Sequence, residues 1–164
     1  MRHRAPDDEG IIDDGRFSIG MGRLSVIDLK STGLCPYKEA SLTLSYNGEI
    51  YNYLELREEL KKRGWRFRTD SDTEVLMKSY REWGLKMFDR LNGMFAFAIY
   101  DELKQKLLLA RDLAGEKPLY FYKKGATFMF ASEAKAFSGV VNLTSRRDKF
   151  FEAFQHCHTD TLFR

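Results

Sequence analysis

The 164-residue chain has little of what would place it in several large protein classes. It holds two cysteines, Cys35 and Cys157, which supply neither a disulfide framework nor a zinc spacing. No apolar run is long enough to span a bilayer, and the opening Met1-Arg2-His3-Arg4-Ala5-Pro6-Asp7-Asp8-Glu9 is polar rather than signal-like. A reducing cytoplasm is the expected compartment. An excess of one charge is also lacking: 27 Lys and Arg face 24 Asp and Glu, and the net charge of +3 is too small to indicate a nucleic-acid partner. The densest basic stretch, Lys61, Lys62, Arg63, Arg66 and Arg68, closes a helix, where cations suit the C-terminal dipole. His156-Cys157-His158 groups metal-ligating types, but adjacent residues point apart in helix and strand alike, so no metal site is expected. Repeats and low-complexity segments are absent.

What is present suits one globular domain. Hydrophobic residues make up 43% and aromatics 14%, enough for a real core at this length. Residues 1–14 are charged and contain Pro6 and Gly10, which predicts loop. Residues 16–28 predict one or two strands, 31–40 a loop around Gly33 and Pro36, and 41–46 a half-buried strand by alternation. Residues 52–63 form an amphipathic helix with Leu54, Leu56 and Leu60 on one side, ended by Gly64. A short strand is expected at 65–68. Ser71 and Glu74 then form a capping box that opens a second helix. The second half is strand-rich: 94–100, nearly all apolar, then 106–110, 118–122 and 127–131, with short helices at 133–138 and 149–155. Helices between sheet segments followed by antiparallel strands indicate an α+β sandwich.

Asn47-Gly48 carries two local readings. The pair favours a two-residue hairpin turn. It is followed, however, by Glu49-Ile50-Tyr51-Asn52 running into a helix, and a strand-to-helix junction with an amide side chain and unpaired N–H groups can stabilise an oxyanion.

The full string Asn47-Gly48-Glu49-Ile50-Tyr51-Asn52 resembles the signature of class II glutamine amidotransferases, especially the asparagine synthase branch. Matches continue in order through Arg2-His3-Arg4-Ala5-Pro6-Asp7, Arg23-Leu24-Ser25-Val26-Ile27-Asp28, Ser71-Asp72-Thr73-Glu74-Val75, Leu91-Asn92-Gly93-Met94-Phe95-Ala96-Phe97-Ala98, Arg111-Asp112, Gly115-Glu116-Lys117-Pro118-Leu119-Tyr120 and Ala131-Ser132-Glu133-Ala134-Lys135-Ala136. The resemblance implies an N-terminal-nucleophile (Ntn) hydrolase fold, a four-layer αββα sandwich, here expected to lack its first strand. It also implies a glutamine amidotransferase domain over 1–140 and, over 141–164, the start of a linker toward a synthetase domain.

In that family an N-terminal Cys attacks the glutamine amide, with its own α-amine as base. Asn47 and the Gly48 N–H match the oxyanion hole. Arg23 matches the residue that grips the α-carboxylate, against the plainer reading of an exposed strand-end Arg. Asp72 matches the acceptor for the α-ammonium, against an N-terminal helix acid favoured by the dipole. Glu49 matches a contact in the same pocket, against a first-turn acid, and Leu24, Ser25, Val26 and Ile27 would line it through backbone atoms.

The sequence departs from the family in three places. Met1 stands almost on the Arg-Gly-Pro-Asp loop, so the nucleophile with its strand and helix is missing; neither Cys35 nor Cys157 has a free α-amine beside it. Ala5 replaces a customary Gly and Met21 a customary His. The chain is expected to be a fragment, a mispredicted start or a degenerate copy of the glutaminase half of asparagine synthase, inactive as written. The resemblance implies glutamine as substrate and a synthetase domain, in cis or trans, as partner. It implies no cofactor for this domain, with ATP and Mg belonging to the synthetase domain; no nucleic-acid or membrane partner is expected, and a homodimer is left open. The alternatives are a non-catalytic glutamine-binding or partner-binding module, and the same domain from a lactam synthetase or sugar amidotransferase.

Overall fold

A computed structural model describes residues 8–23, 36–138 and 140, with the side chains of Asp8 and Arg23 outside that description. Along the chain run β1 (Asp8–Asp13), β2 (Ser18–Arg23), β3 (Tyr37–Glu39), β4 (Leu42–Ile50), α1 (Tyr53–Lys62), α2 (Asp72–Trp83), β5 (Gly93–Asp101), β6 (Lys106–Arg111), β7 (Tyr120–Lys124) and β8 (Thr127–Ala131). Short 3-10 helices occupy Gly84–Asp89 and Ala134–Phe137.

The centre is an antiparallel sheet ordered β3-β4-β5-β6. Its register places Leu44 opposite Ile99, Tyr46 opposite Phe97 and Ile50 opposite Gly93. Because side chains alternate across a strand, Leu42, Leu44, Tyr46 and Ile50 share one face with Phe97, Ile99 and, from β6, Leu108. Both helices cover that face. Leu56 and Leu60 from α1, Val75, Leu76 and Met77 from α2, and Met87 complete one buried cluster. Helices of 10 and 12 residues are marginal alone; burying each such side chain contributes about 1.5–3 kcal/mol and holds them in place.

The opposite face carries Thr43, Ser45, Asn47 and Glu49, facing Tyr100, Ala98, Ala96 and Met94 across β5. The β1-β2 hairpin lies on this side, where Phe17 packs against Tyr100 with the rings tilted by 43° and their centroids 3.9 Å apart. Three layers result: the helices, the central sheet, and the β1-β2 hairpin on its other face.

Several expectations need correction. Residues 8–13, predicted as loop, form β1, because every residue of that strand has a partner in β2. Tyr37–Glu39 is a three-residue strand inside the predicted 31–40 loop. Residues 65–68 form no strand. The Arg68 N–H, which would need a ladder partner, instead donates to the Glu74 carboxylate at 3.0 Å. Leu54 is exposed, since only Leu56 and Leu60 of the three leucines face the sheet. Ser71 does cap α2, accepting from the Thr73 N–H at 3.2 Å. Glu74, however, does not close a capping box. Its fully buried carboxylate accepts from the N–H groups of Arg68 and Thr69, from the Thr69 hydroxyl, and from Lys78 Nζ at 2.9 Å. Lys78 also reaches Glu39 at 3.1 Å, tying α2 to β3. The predicted helix at 149–155 and the linker at 141–164 lie outside the described residues.

Candidate functional site

Asn47 and Gly48 sit in neither a hairpin turn nor a strand-to-helix junction. Both are inside β4, opposite Ala96 and Phe95. The pair expected to supply oxyanion donors therefore belongs to a strand rather than to a helix start. In an antiparallel ladder alternate residues aim their N–H groups to the same side. The Tyr51 N–H donates to the Asn92 carbonyl at 2.7 Å, so odd-numbered residues of β4 point toward β5. Even-numbered residues point away, to the edge that β3 covers only as far as Leu44. Along that edge the Tyr46 N–H donates to Met21 Sδ at 3.5 Å and the Ile50 N–H to Asp72 Oδ2 at 3.0 Å. Gly48 lies between them with the same orientation. Among the described residues nothing accepts its N–H, and the Asn47 side-chain amide also lacks a partner. Among the described residues, the Gly48 N–H is thus a donor without an acceptor on the β4 edge that β3 does not reach.

The sequence demands glycine here for a steric reason. A Cβ on Gly48 would stand 2.6 Å from Phe95 Cα and press on the Met94 carbonyl oxygen. Across the ladder a Cβ on Gly93 would stand 2.9 Å from Ile50 Cα and press on the Glu49 carbonyl oxygen. The two glycines let β4 and β5 approach closely just where the free donors lie.

Asp72 closes the far end of this edge. It is the first residue of α2, and it is 5% exposed. Its Oδ2 accepts from the Tyr46 hydroxyl at 2.7 Å and from the Ile50 N–H at 3.0 Å. Among the described residues Oδ1 has only a long contact with Ser71 Oγ, at 3.5 Å. Burial, the charge of Asp72 and the hydrogen bond to it push the Tyr46 phenol far up, so it stays a neutral donor. Asn47 projects from the face of β4 that also carries Ser45 and Glu49, whereas Asp72 meets the strand from the helix side.

Of the other expected site residues, Arg23 ends β2, opposite Asp8. That strand advances from Phe17 beside Tyr100 to Met21 beside Tyr46, which carries the Arg23 backbone onward toward the Gly48 end. The Arg23 side chain, and Leu24, Ser25, Val26 and Ile27 entirely, lie outside the described residues, as do Cys35 and Cys157. Glu49 is half-buried, and its carboxylate has no partner among the described residues. The exposed Tyr51 phenol is pushed up by desolvation and then by the charges of Glu116, Glu49 and Asp112. Among the described residues no group of three His, Cys, Asp or Glu is placed to hold a metal, and no helix is long and apolar enough to cross a membrane.

Three residues beside the site were given no role of their own by the sequence. Tyr46 was read only as a strand member, and Gly93 and Asp112 only as parts of the family match. Asp112 is buried and organises the loop after β6. Burial pushes its carboxyl up, but the N–H groups of Glu116, Lys117, Phe95 and Gly115 outweigh that and hold it below the usual range. The Glu116 and Lys117 N–H groups donate at 2.8 and 3.1 Å, and the Phe95 N–H at 3.2 Å, so this carboxylate pins the loop to the strand opposite Gly48.

A sequence model of the family described as "Glutamine amidotransferase domain" matches residues 1–161. The chain belongs to this glutamine amidotransferase family. Glutamine-hydrolyzing asparagine synthetase 3 of Bacillus subtilis is 42% identical over 152 residues, covering 91% of this amidotransferase chain and 25% of the relative. Synthetase 1 of the same organism is 44% identical over 135 residues, covering 82% of the chain and 21% of the relative. The amidotransferase chain therefore spans a quarter or less of the length of these relatives. Among solved structures it is similar to the B. subtilis glutamine phosphoribosylpyrophosphate amidotransferase with ADP and GMP. The TM-score is 0.54 at 31% identity, over 59% of this chain and 23% of that one. The fold is accordingly the α+β, Ntn-type glutamine amidotransferase fold expected from the sequence.

Proposed function

We propose that this domain is the glutamine-binding, ammonia-donating half of an asparagine synthetase. The observation that carries the reading is the β4 edge past Leu44, where the Gly48 N–H has no acceptor among the described residues and the next donor along, the Ile50 N–H, is bound to the buried Asp72 carboxylate. Glutamine would lie along this edge with its α-ammonium at Asp72, its α-carboxylate at Arg23, and its side-chain carbonyl at Asn47 and Gly48. Glu49 and the backbone of Leu24, Ser25, Val26 and Ile27 complete the pocket. As a nucleophile adds to the amide carbon, negative charge gathers on the carbonyl oxygen, and two preorganised donors stabilise it. Losing one such donor costs about 10²–10³ in rate.

The complete reaction needs an N-terminal cysteine to form the γ-glutamyl thioester, and water to release glutamate after ammonia departs. The 164 residues contain no cysteine before Cys35, so a polypeptide of this sequence would hold glutamine without cleaving it. Ammonia would pass to an aspartyl-adenylate made with ATP and Mg by a synthetase domain, giving asparagine. Aspartate is favoured as the acceptor because identity to the asparagine synthetases is 42–44%, against 31% to the phosphoribosylpyrophosphate amidotransferase.

Calorimetry of the 164-residue protein with L-glutamine, together with an ammonia assay, tests the proposal. Saturable heat without ammonia release is expected. Absence of heat at about ten millimolar glutamine, an affinity weaker than about 3 kcal/mol, would refute the binding role; ammonia above a protein-free blank would refute the inactivity.

A further inference from the structure

Tyr46 faces the helix side of β4, is buried in the core cluster, and yet directs its hydroxyl at a carboxylate. We propose that Tyr46 is a positioning residue for Asp72: its hydroxyl and the Ile50 N–H together hold Oδ2, so that Oδ1 is the oxygen presented to the ammonium group of a bound amino acid. The inference rests on the glutamine reading above and names the device that sets its selectivity for an α-amine.

An aspartate at a helix start turns about two side-chain bonds, and either oxygen can face a ligand. Here one oxygen is fixed by two donors at 2.7 and 3.0 Å from the same strand. Among the described residues the other has only the 3.5 Å contact from Ser71 Oγ, and an ionised carboxylate has about four acceptor positions. Capacity for a cation therefore remains on Oδ1. Tyr46 also adjoins Asn47, whose side chain lies on the opposite face of the strand. One strand thereby sets the spacing between the amide that would meet the ligand's carbonyl and the carboxylate that would meet its amine.

A core phenylalanine would fill the same volume, so Tyr46→Phe removes the hydroxyl and keeps the ring packing. The test measures binding of two probes to the 164-residue protein by calorimetry: L-glutamine, and 4-carbamoylbutanoate, which is glutamine without its α-amine. The wild type should prefer glutamine by about tenfold or more, the scale of one hydrogen-bonded charge pair. Tyr46→Phe should reduce that preference to about threefold or less while leaving 4-carbamoylbutanoate affinity unchanged. In an Asp72→Asn background the same substitution should alter neither ligand further. Equal weakening of both ligands would mean that Tyr46 only supports the fold, and an unchanged preference would mean that the hydroxyl does not position Asp72; either overturns the inference while glutamine binding stands. If the wild type binds neither probe, the glutamine reading fails and this inference fails with it.

Discussion

Gly48→Ala is the sharpest perturbation of the site that leaves every other side chain in place. The added methyl would stand 2.6 Å from Phe95 Cα and against the Met94 carbonyl oxygen, and both obstacles are backbone of the paired strand rather than side-chain ends that could swing aside. Forcing an extra carbon into a packed interior costs about 1–3 kcal/mol, and an unyielding backbone places this case near about 3 kcal/mol. With a urea dependence of about 2 kcal/mol per molar, the unfolding midpoint should fall by about 1.5 M. Gly20→Ala is the matched control. A Cβ there meets Ile11 Cγ1 at 3.7 Å and the Gly10 carbonyl oxygen at 3.9 Å, ordinary contacts, so its midpoint should stay within about 0.3 M of wild type. Because relief requires β4 and β5 to part beside the free donors, Gly48→Ala should also abolish glutamine binding. A midpoint unchanged within error, with glutamine affinity retained, would refute the close-approach argument.

Glu74→Gln leaves the buried Lys78 with Glu39 as its one carboxylate partner among the described residues and should destabilise the fold by about 3 kcal/mol in urea unfolding. Glu74 and Asp112 both have folded-state pKa values below their ordinary ones. In each, burial acts upward and is outweighed, by Lys78, Thr69 and Arg68 for Glu74 and by loop N–H groups for Asp112. Their contribution is therefore complete above the unfolded carboxylate range and is lost as pH falls through the lower folded values. Stability should be level from about pH 7 to 5.5 and decline below about pH 4.5; circular dichroism melts across pH would show this, with a shallower acid decline in Glu74→Gln. Asp112→Ala should raise the amide exchange rates of Glu116 and Lys117, which hydrogen-exchange mass spectrometry over 112–120 would detect.

The long periodic elements were legible in the sequence because one physical demand dominated each. The apolar run around Phe95, Phe97 and Ile99 could only be a strand buried in a core, and the Leu56 and Leu60 spacing could only face a sheet from a helix. β1 was not legible. Its Asp8, Glu9 and Asp13 suggest loop, and only its pairing with β2, a long-range fact, makes a strand of it. Residues 65–68 have strand-like side chains, yet the partner of the Arg68 N–H is a carboxylate six residues ahead. Ser71 and Glu74 fit a capping-box spacing, but the pattern does not show that Lys78, one turn later, and the 68–69 backbone would claim the glutamate. At the site, the resemblance selected Asn47, Gly48 and Asp72; the first two lie in β4, and the third accepts from the Ile50 N–H of the same strand. Local sequence could not show that the edge exists, because it depends on where β3 stops relative to β4. Tyr46 gave no signal at all, since an aromatic in a half-buried strand is ordinary until its hydroxyl is seen at 2.7 Å from a carboxylate.

The amide resonance of Gly48 tests the central claim most directly. Titrating L-glutamine into ¹⁵N-labelled protein should shift that resonance progressively, together with the Asn47 side-chain amide signals, and Asp72→Asn should abolish both shifts. A Gly48 resonance that stays fixed while glutamine saturates the protein elsewhere would contradict the assignment of this strand edge as the binding site.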